Sequence, residues 1–207
     1  MALFFVPAGT LRWPEAWILL ILYGAVVAGV FAWWKKHAPG LLKERMTRDK
    51  DAKSWDKLIM LLYTLVLIVA LVLPGLDAVR FGWSSVPAAV KILAFVGYLP
   101  AMGIALWAMR ENAFLSDVVR IQTERGHAVC RSGPYRFIRH PMYAGVILVF
   151  LCFPASLGSW YAYIPVSLII ALFILRTALE DKTLRKELPG YEEYAREVRF
   201  RLVPGAW

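Results

Sequence analysis

Residues 141–179 read PMYAGVILVFLCFPASLGSWYAYIPVSLIIALFILRTAL, with Arg176 as the only charged side chain. Crossing the hydrocarbon core of a bilayer takes roughly 20 residues of apolar helix. The stretch holds two such lengths, from Pro141 to about Leu157 and from about Tyr161 to Leu179, divided by Gly158-Ser159. So short a break makes the two segments an antiparallel hairpin. Pro141 suits the first helical position, where its missing N–H has no partner to lose.

Three more apolar runs precede the hairpin. Glu15–Trp34 ends in paired tryptophans followed by Lys35-Lys36, an aromatic and basic anchor for a membrane interface. Leu58–Leu73 is expected to stop at Pro74-Gly75. Val86–Met109 has Pro87 near its start and Pro100 inside as a candidate kink. The expected fold is all-α: a polytopic integral membrane protein with about five transmembrane helices, a C-terminal helical hairpin and a cytoplasmic pocket. The composition agrees, being 59% hydrophobic and only 19% charged, with the charges in blocks between the runs. Charge at the bilayer centre is expensive, so such blocks belong at its faces. Met1–Trp13 lacks the basic start of a secretory signal, and the first long run exceeds a signal's apolar core, so it is expected to remain as a helix.

The net charge of +9 follows the loops. Lys35–Lys57, Arg110–Arg139 and the tail after Leu179 carry most of the Lys and Arg, whereas the opposite connections carry few. The positive-inside rule then places the N-terminus outside and the C-terminus in the cytoplasm, as five crossings require. No compact basic domain stands apart from the apolar runs, which argues against nucleic acid as a partner. The Lys35–Lys57 connection, with Leu41, Leu42 and Met46 among its charges, reads either as an amphipathic helix along the headgroups or as a solvated loop.

Two constellations carry candidate chemistry. In the string from Gly133 to Gly145, Gly-Pro makes a turn and Arg139-His140 immediately precedes the helix opened by Pro141. A helix N-terminus beside an arginine and a histidine is an anion site, and Tyr143 lies one turn in on the His140 side. On the last crossing, Arg176 and Glu180 are four residues apart and share a face, with Asp181 next. The hairpin brings the start of one helix beside the end of the other. Arg139, His140, Tyr143, Arg176 and Glu180 are therefore expected to converge on one cytoplasmic recess suited to a zwitterion or a cofactor carrying one. There is no GxGxxG after a strand and no Walker loop. Cys130 and Cys152 form no CxxC pair, so no metal is expected and both read first as structural thiols.

At these residues the sequence resembles the isoprenylcysteine carboxyl methyltransferase family, with its related phospholipid and thiol methyltransferases of the membrane. The likeness runs from about Asn112 to Gly205. It rests on the Gly133-Pro134-Tyr135-Arg136 and Arg139–Gly145 strings, on Glu180-Asp181 where the family usually has Glu-Glu, and on a tail with Gly190-Tyr191, Tyr194 and Pro204-Gly205.

The resemblance implies an S-adenosylmethionine-dependent membrane methyltransferase, with residues 1–110 as N-terminal membrane helices and 111–207 as the methyltransferase-like region. Carried over by position, Gln122, His127, Ala128, Val129, Cys130, Tyr135, His140, Pro141, Met142, Tyr143 and Glu180 are its cofactor contacts, and Arg139 with His140 suits the cofactor carboxylate. Arg176 and Glu180 are its catalytic pair, with Arg176 binding the acceptor. A prenylcysteine-like carboxylate is the favoured acceptor, ahead of a phospholipid amine or a small thiol, for which Glu180 or His127 would act as base. The implied partners are a lipophilic or lipidated substrate and membrane lipids. Two rival classes remain: an NADPH-dependent membrane reductase, which shares the C-terminal pattern, and a non-catalytic transporter or scaffold.

Overall fold

The computed structural model describes residues 1–37 and 53–207. Among them the chain is helical with no strand. A short α1 (Ala2–Ala8) leads into α2 (Pro14–His37) and, beyond the undescribed stretch, α3 (Ser54–Pro74). Then come α4 (Ala88–Glu111), α5 (Pro141–Ser156), α6 (Tyr163–Glu187) and the short α7 (Tyr191–Glu197). Four helices, Pro14–His37, Ser54–Phe81, Ala88–Glu111 and Tyr163–Glu187, are long and apolar enough to cross a membrane. The 16-residue α5 is a shorter apolar helix, about 24 Å long at 1.5 Å per residue. The chain is thus a polytopic membrane protein with, among the described residues, four candidate membrane spans and one shorter apolar helix.

One expectation about an element end needs correction. The second crossing does not stop at Pro74-Gly75 but continues as a π-helical stretch, Gly75–Phe81, ending at Gly82 with φ 62°. Gly75 keeps helical angles, and it lies so close to α1 that a Cβ there would come 2.7 Å from the Phe4 carbonyl oxygen. Pro-Gly punctuation therefore yields to close packing. The helix that presses on it, α1, was not anticipated. Its Phe4 and Phe5 meet Trp13 edge-on, with ring centroids 6.1 and 6.4 Å apart. The reading of Lys35–Lys57 falls mostly outside the described residues.

The helices pack α3 against α6, α6 against α5, and α5 against α4. α5 approaches α4 closely because Gly145 faces the backbone of Ala101 and Ala105, where a Cβ would meet atoms at 2.8 Å. Cys152 fills the space left by Gly97 on the same interface, with its sulfur 2.8 Å from where a Gly97 Cβ would stand. That is the structural role its apolar surroundings suggested. By contrast α2 shows Ile18, Ile21, Val27 and Phe31 on the outside, as a helix facing lipid should.

Polar contacts fasten the end where α5 turns into α6. Asp77, fully buried, accepts from the hydroxyls of Ser84 (2.7 Å) and Ser159 (2.5 Å) and from the Tyr161 amide (3.3 Å) on one oxygen. Lys91 pairs with Glu15 at 2.7 Å, tying the starts of α2 and α4 together. The opposite end carries the long 112–140 connection and the tail.

Candidate functional site

At that loop-rich end the chain has to bury the entrance of α5 and the exit of α6 side by side, and both are charged. Asp181 solves part of the problem. Its carboxylate takes Arg139 Nε at 2.6 Å and Nη2 at 3.2 Å, the Tyr191 hydroxyl at 3.1 Å, and the Nε atoms of Arg185 and Arg201, each at 3.1 Å. Arg139 also donates through Nη1 to the carbonyls of Val198 and Arg199. The backbone follows: the Arg139 amide donates to Phe200 and the His140 amide to Arg201, so the tail is laid across the start of α5. This hub clamps residues 198–201 over the hairpin.

Glu180, one residue earlier, points elsewhere. Its carboxylate accepts from the Tyr143 hydroxyl at 2.6 Å and stands 4.0 Å from His140 Nδ1. The His140 and Tyr143 rings lie parallel, 5.9 Å apart. Glu180, His140 and Tyr143 share the wall of a narrow cleft with Arg139, Met142, Tyr135 and the run His127–Cys130. Its remaining wall, from Asn112, Leu115, Leu184, Leu188, Tyr191 and Tyr194, was not identified as site residues, although the tail tyrosines stood in the motif. The free volume is about 60 Å³, well below the roughly 300 Å³ at which small-molecule pockets begin.

The expected site residues divide accordingly. His127, Ala128, Val129, Cys130, Tyr135, Arg139, His140, Met142, Tyr143 and Glu180 converge on the cleft. Three do not. Pro141 faces the apolar groove behind it. Gln122 is buried, and its side chain is spent on the Phe114 carbonyl and on Arg125, where it holds the loop together. Arg176 lies one layer behind the wall, with its guanidinium carbon 5.5 Å from the Tyr143 ring centroid. Nor does Arg176 form the intrahelical pair with Glu180 that their spacing allows, because its partner is Asp56 of α3, Nε to Oδ1 at 2.8 Å. A buried guanidinium gains more from a two-point carboxylate across a helix interface than from a partly exposed neighbour on its own helix.

The expected anion site changes in kind. Arg139 is nearly consumed by Asp181 and the tail, leaving little of its guanidinium for a ligand. What the entrance of α5 still offers is the pair of amides at Met142 and Tyr143, first-turn groups with no intrahelical acceptor. Burial raises the hydroxyls of Tyr135, Tyr191 and Tyr194 above their usual range, and for Tyr191 the Asp181 charge adds to it. These are neutral donors at pH 7. Burial, then the charges of Arg125 and Arg120, lowers the pKa of His127. Its Nδ1 accepts from the Gln122 amide at 3.3 Å, which assigns the proton of the neutral ring to Nε2.

Residues 95–186 match the model of the isoprenylcysteine carboxyl methyltransferase (ICMT) family. Over that segment the chain is similar to the family. The matched segment contains the cleft residues from Asn112 to Leu184, whereas Asp56 and the tail tyrosines lie outside it. A search of curated proteins finds no match. The ICMT family is one of methyltransferases, which weighs against a nicotinamide-dependent reductase and against a transporter.

Proposed function

We propose that the cleft binds S-adenosylmethionine and that the chain methylates the carboxylate of a lipophilic, prenylcysteine-like acceptor at the cytoplasmic face. The observation that carries this reading is the meeting, in one cleft, of the first turn of α5 at Met142 and Tyr143 with the Glu180 carboxylate and several aromatic side chains. That donor set suits a zwitterion with a sulfonium. The amides of Met142 and Tyr143 would hold its carboxylate, Glu180 its ammonium or a ribose hydroxyl, and Tyr135 or Tyr143 the sulfonium. When bound, the cofactor supplies an activated methyl group. At about 60 Å³ the cleft admits a ligand of nucleoside size only if the 112–131 loop or the tail gives way.

The protein's own contribution is to orient the reactants and exclude water, which is where most of the acceleration of an in-line displacement comes from. A carboxylate acceptor is ionised at pH 7 and needs no base. That fits the site, because His127 Nδ1 is already occupied and Glu180 is hydrogen-bonded by Tyr143. Arg176, behind Tyr143, would attract the acceptor carboxylate. An apolar groove of about 840 Å³ suits the acceptor's hydrocarbon. Its wall includes Pro134, Ile138 and Pro141, chain neighbours of Tyr135, Arg139 and Met142 on the cleft wall, together with Trp107 and Trp207.

The test is incubation of purified protein with methyl-labelled cofactor and a panel of S-farnesylated N-acetylcysteine, phosphatidylethanolamine and an alkyl thiol. Base-labile label on the prenylcysteine supports the proposal. Label on the amine or the thiol alone would move the acceptor class, and label on none would end the reading.

A further inference from the structure

Asp56 lies outside the ICMT-family segment, at the start of α3, and it is fully buried. Its two oxygens take three donors: Arg176 Nε at 2.8 Å on Oδ1, and Arg176 Nη2 at 3.3 Å with the Val119 amide at 2.8 Å on Oδ2. Arg176 Nη2 also donates to the Asp117 carbonyl at 2.7 Å. One ion pair thus joins α3, α6 and the base of the loop whose residues 127–130 line the cleft. A second pair, Lys53 with Glu187 at 2.8 Å, ties the same two helices nearby. Arg176 Nη1 makes no hydrogen bond among the described residues.

We infer that Asp56 is a positioning residue for the acceptor: it fixes one edge of Arg176 and leaves Nη1 to receive the acceptor's carboxylate. This rests on the methyltransferase reading. An acceptor that displaced Asp56 instead would leave a fully buried anion uncompensated and strip the Val119 amide of its acceptor, both of which are costly. Asp56 therefore keeps its grip while the acceptor binds. The loop base at 117–119 stays pinned, and any widening of the cleft takes place farther along, toward 122–131.

Asp56→Asn preserves the shape, removes the charge and sets an amide donor against the other donors. The KM for S-farnesylated N-acetylcysteine should rise about tenfold, in line with a lost charge-assisted hydrogen bond. The dissociation constant of S-adenosylmethionine should stay unchanged. In an Arg176→Ala background the same substitution should add nothing to the acceptor KM, because Asp56 acts through that arginine. An unchanged KM in the single variant, or an additive effect in the double variant, would overturn the inference. Hydrogen exchange on the unaltered protein decides the matter even where Asp56→Asn fails to fold. The Val119 amide should stay protected with and without the acceptor, and rapid exchange on acceptor binding would equally overturn it. Failure of the methyltransferase reading looks different: the unaltered protein itself would then transfer no label.

Discussion

Asp77 at one end of the bundle and Asp181 at the other are both buried carboxylates, yet they are held in opposite ways. Among the described residues Asp77 is bound by neutral groups, two serine hydroxyls and an amide, and its second oxygen has no hydrogen-bond partner. Asp181 is gripped by three guanidinium groups and a tyrosine, with His140 Nε2 3.5 Å away. The first end is closed by short connections, so a few hydroxyls suffice to fasten it. The second has to carry a long loop and a tail while keeping a polar cleft between them, and neutral groups cannot hold so much charge at a membrane face. The proposed cofactor cleft lies at the end where buried charge is densely paired.

The comparison can be broken first at its stronger member. Asp181→Ala strands Arg139 in a buried site and frees the tail, so stability should fall by about 3–5 kcal/mol, as when one partner of a buried pair is removed. Thermal unfolding in detergent would show this, and a variant that melts like the parent would refute the clamp. Asp77→Ala should cost less, about 1–3 kcal/mol for unsatisfied hydroxyls and an amide. It should leave methyl transfer by the folded protein unaltered. A loss of turnover there would mean that the two ends are not separable.

A smaller effect concerns acid pH. The folded pKa of His127 lies below its unfolded value, so the unfolded chain takes up its proton first as pH falls. The stability it contributes is complete above about pH 6.5 and declines as pH drops through that value toward the folded pKa. Melting temperatures compared at neutral and mildly acid pH should show the decline, and His127→Asn should flatten it. An equal slope in the variant would remove His127 as the cause.

Much of this architecture was legible in the chain. The apolar runs gave the crossings, the Gly158-Ser159 break gave the hairpin, and its antiparallel course correctly brought His140 and Tyr143 to Glu180. What remained hidden was partner choice. Spacing reveals neighbours on one helix, such as Arg176 and Glu180, but a buried guanidinium selects the carboxylate with the best two-point geometry, here 120 positions away. Arg139 likewise looked free for a ligand until the fold brought Asp181 and the backbone of 198–199 to it. Pro74-Gly75 looked like a stop because its close contact with α1 is a tertiary fact.

The most direct test of the account is calorimetric titration of the solubilised protein with S-adenosylmethionine, beside Glu180→Gln and Asp77→Ala. The parent and Asp77→Ala should bind alike, while Glu180→Gln, which keeps an acceptor for Tyr143 but loses the charge, should bind about tenfold more weakly. No binding to the parent, or equal binding to all three, would contradict the placement of the cofactor beside Glu180.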